Sequence, residues 1–193
     1  MSATGRKPSS NRPDCTEESD QEPLAKRKAL ASHFAMTDGA EVPLDGWKHS
    51  GVRVVPAGEL GEVSATTPGM DRAVAIDRAR MGAQKLWAGT VHIHANAKTG
   101  AHHHGPLESV IYVVSPRARM RWGEALEFVA EAGPGDFIYV PPFVPHQEIN
   151  ASTDEMLSCV LVRSDSDSVV VNLEIEPVEK PQGVKWIDPI HKS

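Results

Sequence analysis

A run of three histidines holds the residues of this chain best suited to chemistry. Residues two apart in a strand point the same way, so His102 and His104 present two imidazoles to one side while His103 faces the other. The turn Gly105-Pro106 follows, and it can bring Glu108 back from the next strand toward the same pocket. Two neutral nitrogens and one carboxylate then converge, as in a site for a divalent transition metal.

A second segment, residues 135–150, reads as a tight turn, a strand, a rigid corner and another strand. The corner contains Pro141 and Pro142, and the first side chain of the strand after it is His146. A fourth ligand could come from there. Glu148 lies two residues later and shares the face of His146 in a regular strand, so it is a candidate to orient a metal ligand or to act as general base. The alternative is a carboxylate at the rim that faces solvent.

Both segments resemble the motifs of the cupin superfamily. The first motif is His-x-His, three or four residues, Glu, six residues and Gly. The second is Gly, five residues, Pro-x-Gly, two residues, His, three residues and Asn. The chain matches the first motif with three residues between His104 and Glu108, and it matches the second from Gly135 to Asn150. Three motif glycines, which shape turns and do not bind metal, are replaced, by Asn96, Ser115 and Phe143.

The resemblance implies an all-β fold, the cupin double-stranded β-helix or jelly-roll barrel. It also implies one divalent transition metal, Fe, Mn, Zn, Ni or Co, bound by His102, His104, Glu108 and His146. The alternative is a surface histidine run, which would require two separate motifs to arise by accident. Four ligands leave positions open on an octahedral ion, and the net positive charge favours an anionic or chelating small molecule.

The expected function is that of a metal-dependent enzyme acting on a small organic molecule. Oxygenase chemistry and lyase, isomerase or decarboxylase chemistry both fit this ligand set. A non-catalytic module that binds a small ligand through its metal is an alternative, as is a partner or appendage of a larger enzyme.

Other polar side chains could lie beside the metal. His92 and His94 share one strand face and could line the barrel mouth as acid, base or substrate contacts; the alternative is that both face solvent. Tyr112 and Tyr139 could hydrogen-bond a substrate, although such tyrosines are more often part of the core. Arg163 could pair a substrate carboxylate, but an arginine at a strand end is usually solvated.

The rest of the chain predicts one domain with a tail. Residues 1–35 have the polar composition of a disordered tail. Residues 36–84 are expected to form strands that pack on a barrel made by residues 85–175, and residues 176–193 to wrap its surface. Short β-branched runs such as ESVIYVV and LSCVLVR, separated by Gly and Pro, independently favour an all-β sandwich or barrel.

Composition excludes several classes of function. The formal net charge is −6 without a one-sided basic face, so nucleic acid is not an expected partner. The chain has neither an apolar run long enough for a membrane span nor a secretion signal at its start, which favours the cytoplasm. Cys15 and Cys159 form no disulfide framework, and Cys159 reads as a buried hydrophobe. The resemblance also implies a homodimer.

Overall fold

The computed structural model describes residues 51–63, 69–166 and 169–185. Nearly all of them belong to one compact unit that begins at Val54. The predicted tail, residues 1–35, lies outside the described residues. So do residues 186–193, the last part of the C-terminal segment expected to wrap the barrel.

Short strands make up the described part of the chain, as the spacing of its β-branched runs predicts. In chain order they are β1 (Gly61–Val63), β2 (Met70–Ile76), β3 (Trp87–Ile93), β4 (His102–His103), β5 (Ser109–Ser115), β6 (Ala118–Trp122), β7 (Phe128–Ala132), β8 (Phe137–Val140), β9 (His146–Asn150), β10 (Leu157–Arg163), β11 (Val171–Asn172) and β12 (Gln182–Gly183). A 3-10 turn at Ala57–Glu59 and the helix α1 (Arg78–Met81) complete the elements. No helix among the described residues is long and apolar enough to cross a bilayer.

The strands form two six-stranded sheets. The first has the order β1-β2-β3-β10-β5-β8 and the second the order β11-β4-β9-β6-β7-β12. The neighbouring strands pair antiparallel, except that β12 pairs parallel with β7. This is the all-β jelly roll that the sequence predicts.

The core lies between the two sheets, because alternate residues of each strand point inward. In β3 the inward residues are Trp87, Gly89, Val91 and Ile93, all of them buried. In β10 they are Leu157, Cys159, Leu161 and Arg163. Arg163 is charged, yet its side chain points inward like those of the apolar residues in this set.

Two of the replaced motif glycines keep a backbone conformation that suits glycine. Asn96 and Phe143 both have a φ of 60°, in the left-handed region. Asparagine tolerates this region, and the Phe143 N–H donates to the Gly105 carbonyl at 2.8 Å, which ties the proline corner to the turn after the histidines. The turns therefore retain their shape without glycine.

The C-terminal segment packs along the second sheet as far as it is described. Gln182 and Gly183 pair with Phe128 and Val129. Arg121 donates to the carbonyl of Val178 at 2.7 Å. Residues 178–183 are thus held against β6 and β7 of this sheet.

Candidate metal centre

Three histidines meet inside the barrel where β4 and β9 pair. His102 lies directly opposite His146 in this pairing, and His104 follows β4. Their ring centroids are 4.4 to 5.1 Å apart, and their exposed fractions are only 1–3%. His103 points away from the cluster, as strand phase predicts, and its Nδ1 accepts from the Gly105 N–H.

One nitrogen of each ring is fixed by the backbone. The Nδ1 of His102 is 3.0 Å from the Gly100 carbonyl, and those of His104 and His146 are each 2.8 Å from the carbonyls of Val169 and Val144. A carbonyl can only accept, so each Nδ1 carries the proton and each Nε2 keeps its lone pair. Metal-binding histidines are oriented by this kind of contact.

The three rings have the chemistry of a ligand set. One ligand nitrogen from each ring lies within 4.8 Å of the others. Burial lowers the pKa of His104 to about 3, with the charge of Arg163 adding to the effect, and burial also lowers the pKa of His146. Both imidazoles are therefore neutral near pH 7, the form that binds metal. The Nε2 of His102 is buried with no hydrogen-bond partner among the described residues. These residues fit a divalent transition metal.

The structure does not bring Glu108 into this cluster, which corrects the ligand set taken from the motif. Glu108 is exposed, and its Oε1 accepts a 2.6 Å hydrogen bond from the hydroxyl of Tyr139, itself 56% exposed. The cause is strand phase. In β5 the inward residues are Ser109, Ile111 and Val113, so Glu108 falls on the outer face.

Ser109 takes the inward position instead. The motif permits three or four residues between the second histidine and the ligand, and the four-residue spacing ends on Ser109. Ser109 is 2% exposed, and its Oγ has no hydrogen-bond partner among the described residues. This chain therefore has a small hydroxyl where the longer spacing would place a carboxylate.

Arg163 lies in the barrel interior beside the histidines, although a strand-end arginine was expected to be solvated. It is 2% exposed, and its Nη2 is 3.0 Å from the Nε2 of His104. Its Cζ lies 5.6 Å from the ring centroid of Trp87. Burial lowers the pKa of Arg163 to about 10, and Arg72 adds to this effect, so the guanidinium stays charged at neutral pH. The inward phase of Leu157, Cys159 and Leu161 was the signal that could have placed it.

Glu148 is a buried carboxylate in the same interior. Burial by itself would raise its pKa, but the imidazoles of His102 and His146 and the guanidinium groups of Arg72 and Arg163 outweigh burial and lower the pKa. One carboxylate oxygen, Oε2, has no hydrogen-bond partner among the described residues. Of the two readings offered by the sequence, the inward one agrees with this placement.

The other predicted neighbours lie away from the cluster. His92 and His94 are on the face of β3 opposite Val91 and Ile93, where His92 contacts the Ser158 hydroxyl at 3.1 Å and His94 contacts Asp71 at 2.8 Å.

Tyr112 is on the outer face of β5, 37% exposed, with its ring 4.9 Å from that of Phe137. The expectation that the two histidines or this tyrosine reach the metal is not met, because all three have the outward phase of their strands.

A cavity of about 720 Å³ reaches His146. It lies between β6 and β7 of one sheet and β8 of the other. Its walls include Met120, Trp122, Ile138 and Val140. The histidine cluster is thus approached through a space of the size that small-molecule sites have.

The sequence of residues 89–162 matches the family described as Cupin domain. This segment of the chain is therefore assigned to the cupin domain. No curated protein matches the chain closely enough to count as a relative.

Solved structures agree with this assignment. The chain is similar to the polyketide cyclase RemF from Streptomyces resistomycificus, with a TM-score of 0.54 and 20% identity over 67% of this chain and 89% of that chain. It is also similar to the Lactobacillus farciminis oxalate decarboxylase in its formate complex, with a TM-score of 0.52 and 21% identity over 60% of this chain and 34% of that chain. At such identities the likeness shows the fold alone, and the chain spans about a third of the decarboxylase.

Proposed function

We propose that this cupin is a metal-dependent enzyme that moves a proton on a small anionic, chelating molecule, as lyases and isomerases do. His102, His104 and His146 would hold one divalent ion, Fe, Mn, Zn, Ni or Co. The observation that carries the proposal is the presence of a buried carboxylate, Glu148, and a buried guanidinium, Arg163, beside these three imidazoles. Such a concentration of ionisable groups in one interior is a mark of chemistry.

The charges of the site favour an anionic ligand. Three neutral imidazoles leave the charge of a divalent ion uncompensated, and the charges of Glu148 and Arg163 offset each other. A carboxylate or enolate would supply the missing negative charge, since a bound cation is the largest local charge in such a site. Arg163 adds N–H donors in a planar fork that matches a carboxylate.

Glu148 is the proposed base. It is ionised and excluded from water, and it lies on β9 two residues after His146, on the same inward face. A bound metal supplies Lewis-acid polarisation of a substrate carbonyl, which acidifies a neighbouring C–H. Glu148 can accept that proton and return it. Positioned groups of this kind contribute about 10²- to 10⁴-fold to a rate.

Proton exchange tests the proposal directly. The protein is loaded separately with Zn(II), Mn(II) and Fe(II), and the metal content is measured. A panel of 2-oxo and 3-oxo acids is then incubated in D₂O, and deuterium incorporation next to the carbonyl is followed by NMR. We expect metal-dependent incorporation that Glu148→Gln reduces at least about 100-fold, with metal content unchanged.

Glu108→Gln is the matched control, because it removes a carboxylate from the outer face and should leave exchange intact. Iron-dependent oxygen uptake that Glu148→Gln leaves unchanged would overturn the proposal in favour of an oxygenase. Tight binding of the acids without exchange would favour a binding module.

A further inference from the structure

The cavity beside the metal centre is far larger than a two-carbon acid needs. Its volume is about 720 Å³, in the middle of the range of about 300 to 1,000 Å³ found for sites that enclose drug-sized ligands. Most of its wall residues are apolar, among them Met120, Trp122, Ile138, Val140, Pro141 and Val144. Polar residues join them, among them Asp136 and Lys185.

Strand register places this apolar surface next to the ligands. Trp122 is directly opposite His146, and Met120 is directly opposite Glu148 in the pairing of β6 with β9. Ala130 is opposite Met120 in the pairing of β6 with β7. Directly paired residues of neighbouring strands share a face, so the apolar surface begins where the histidines and the carboxylate end.

We propose that the substrate is an amphipathic acid whose anionic, chelating head lies at the histidines and whose apolar body, at least two fused rings in size, fills the cavity. This inference rests on the proposed function, which supplies the site for the head. The apolar walls supply the reason for the body, because a short acid would leave the half-buried Trp122 and Ile138 facing water. Burying an apolar body against them makes binding tighter as the buried area grows.

A ligand series with a constant head tests the inference. Zn(II)-loaded full-length protein is titrated by calorimetry with oxalate, salicylate and 3-hydroxy-2-naphthoate. The last two share one chelating head and differ by one ring. We expect the naphthoate to bind at least about tenfold more tightly than salicylate, because the added ring is buried. Equal affinities would overturn the inference and leave the proposed function standing.

Two variants locate the body. Ala130→Leu adds volume to a cavity wall and should weaken naphthoate binding about tenfold while leaving salicylate within about threefold. Val129→Leu, one residue away on the opposite strand face, is the matched control and should change neither. Thermal unfolding and zinc content check that both variants fold and load. Unchanged naphthoate affinity in a folded Ala130→Leu protein would overturn the inference.

Metal dependence separates the two proposals. Naphthoate binding that is tight with zinc and weak in His146→Ala supports both. Binding of equal strength in the zinc-loaded protein and in His146→Ala would place the head away from the histidines, and that result would overturn the inference and the proposed function together.

Discussion

The lone pair of His104 has two competing partners. Its Nδ1–H donates to the carbonyl of Val169, so the Nε2 lone pair is the one that remains, and the guanidinium of Arg163 lies 3.0 Å from it. A metal ion needs the same lone pair, and the guanidinium has to leave before the ion binds. We therefore predict that Arg163→Met, which retains much of the side-chain volume and removes the donor, binds metal more tightly than the native protein.

The size of the effect follows from the contact that is removed. A hydrogen bond that involves a charged group contributes about 1.5 to 3 kcal/mol. The Arg163→Met protein does not have to break this hydrogen bond before it binds metal, so its metal affinity should be higher by about 10- to 150-fold. Repulsion between the guanidinium and a divalent ion acts in the same direction, so this range is a lower bound. Protonation of His104 does not compete near pH 7, because its pKa is about 3.

The assay is a competition for Zn(II) between the protein and a chromophoric chelator at pH 7.5. Arg119→Met is the matched control, because Arg119 pairs with Glu131 on the outer face, and its zinc affinity should equal that of the native protein. Zinc affinity that is unchanged or weaker in a folded Arg163→Met protein would show that Arg163 does not compete for His104. The same variant should bind salicylate more weakly, since it lacks the donors for the carboxylate.

Three further predictions concern single residues. His146→Ala should lose most of its bound metal while Glu108→Gln loses none, as measured by elemental analysis; metal loss in the second variant would restore Glu108 as a ligand. Burial raises the pKa of Cys159 to about 12, so at pH 8 only about one thiol in 10⁴ is ionised. In a Cys15→Ser background, a thiol reagent should therefore react only after unfolding, and fast reaction of the folded protein would contradict the burial. Asn150→Ala should lower the unfolding free energy by about 3 kcal/mol in urea titrations, because the two N–H groups of the Asn150 amide are shared among three backbone carbonyls and its oxygen accepts from the Ser152 N–H. A change below about 1 kcal/mol would show that water replaces the side chain.

Most of the site residues that the sequence predicts correctly follow from the local periodicity of the strands. The inward pair His102 and His104 follows from the two-residue period of a strand, and so does the exclusion of His103. His146 follows from the proline corner that starts its strand. The same reasoning misplaced Glu108, because the phase of β5 depends on the path of the turn at Gly105–Leu107. One residue more or less in that turn exchanges Glu108 and Ser109 between the two faces.

The spacing of residues along the sequence does not show which polar side chains lie beside the three histidines. His92 and His94 share a face, but only the packing of β3 against both of its neighbours shows that this face is the outer one. Arg163 has the phase of the buried residues before it in β10. Because arginine side chains are usually exposed, Arg163 was nevertheless expected to be solvated. Contacts across the barrel join residues that are distant in sequence, such as Arg163 and His104, which are 59 positions apart. Local sequence patterns do not predict such contacts.

The cost of the buried charges is itself an argument for function. A barrel of this kind could fill the inward positions of Arg163 and Glu148 with apolar residues, and replacing buried charged groups in this way is often neutral or stabilising by about 1 to 4 kcal/mol. A contribution to stability is therefore a weak explanation for either charge. The two residues come from strands of different sheets, yet Arg163 contacts His104, Glu148 interacts with His102 and His146, and each compensates the charge of the other. A donor of hydrogen bonds to anions and an acceptor of protons are thus held together beside the histidine cluster, where substrate binding and proton transfer would need them.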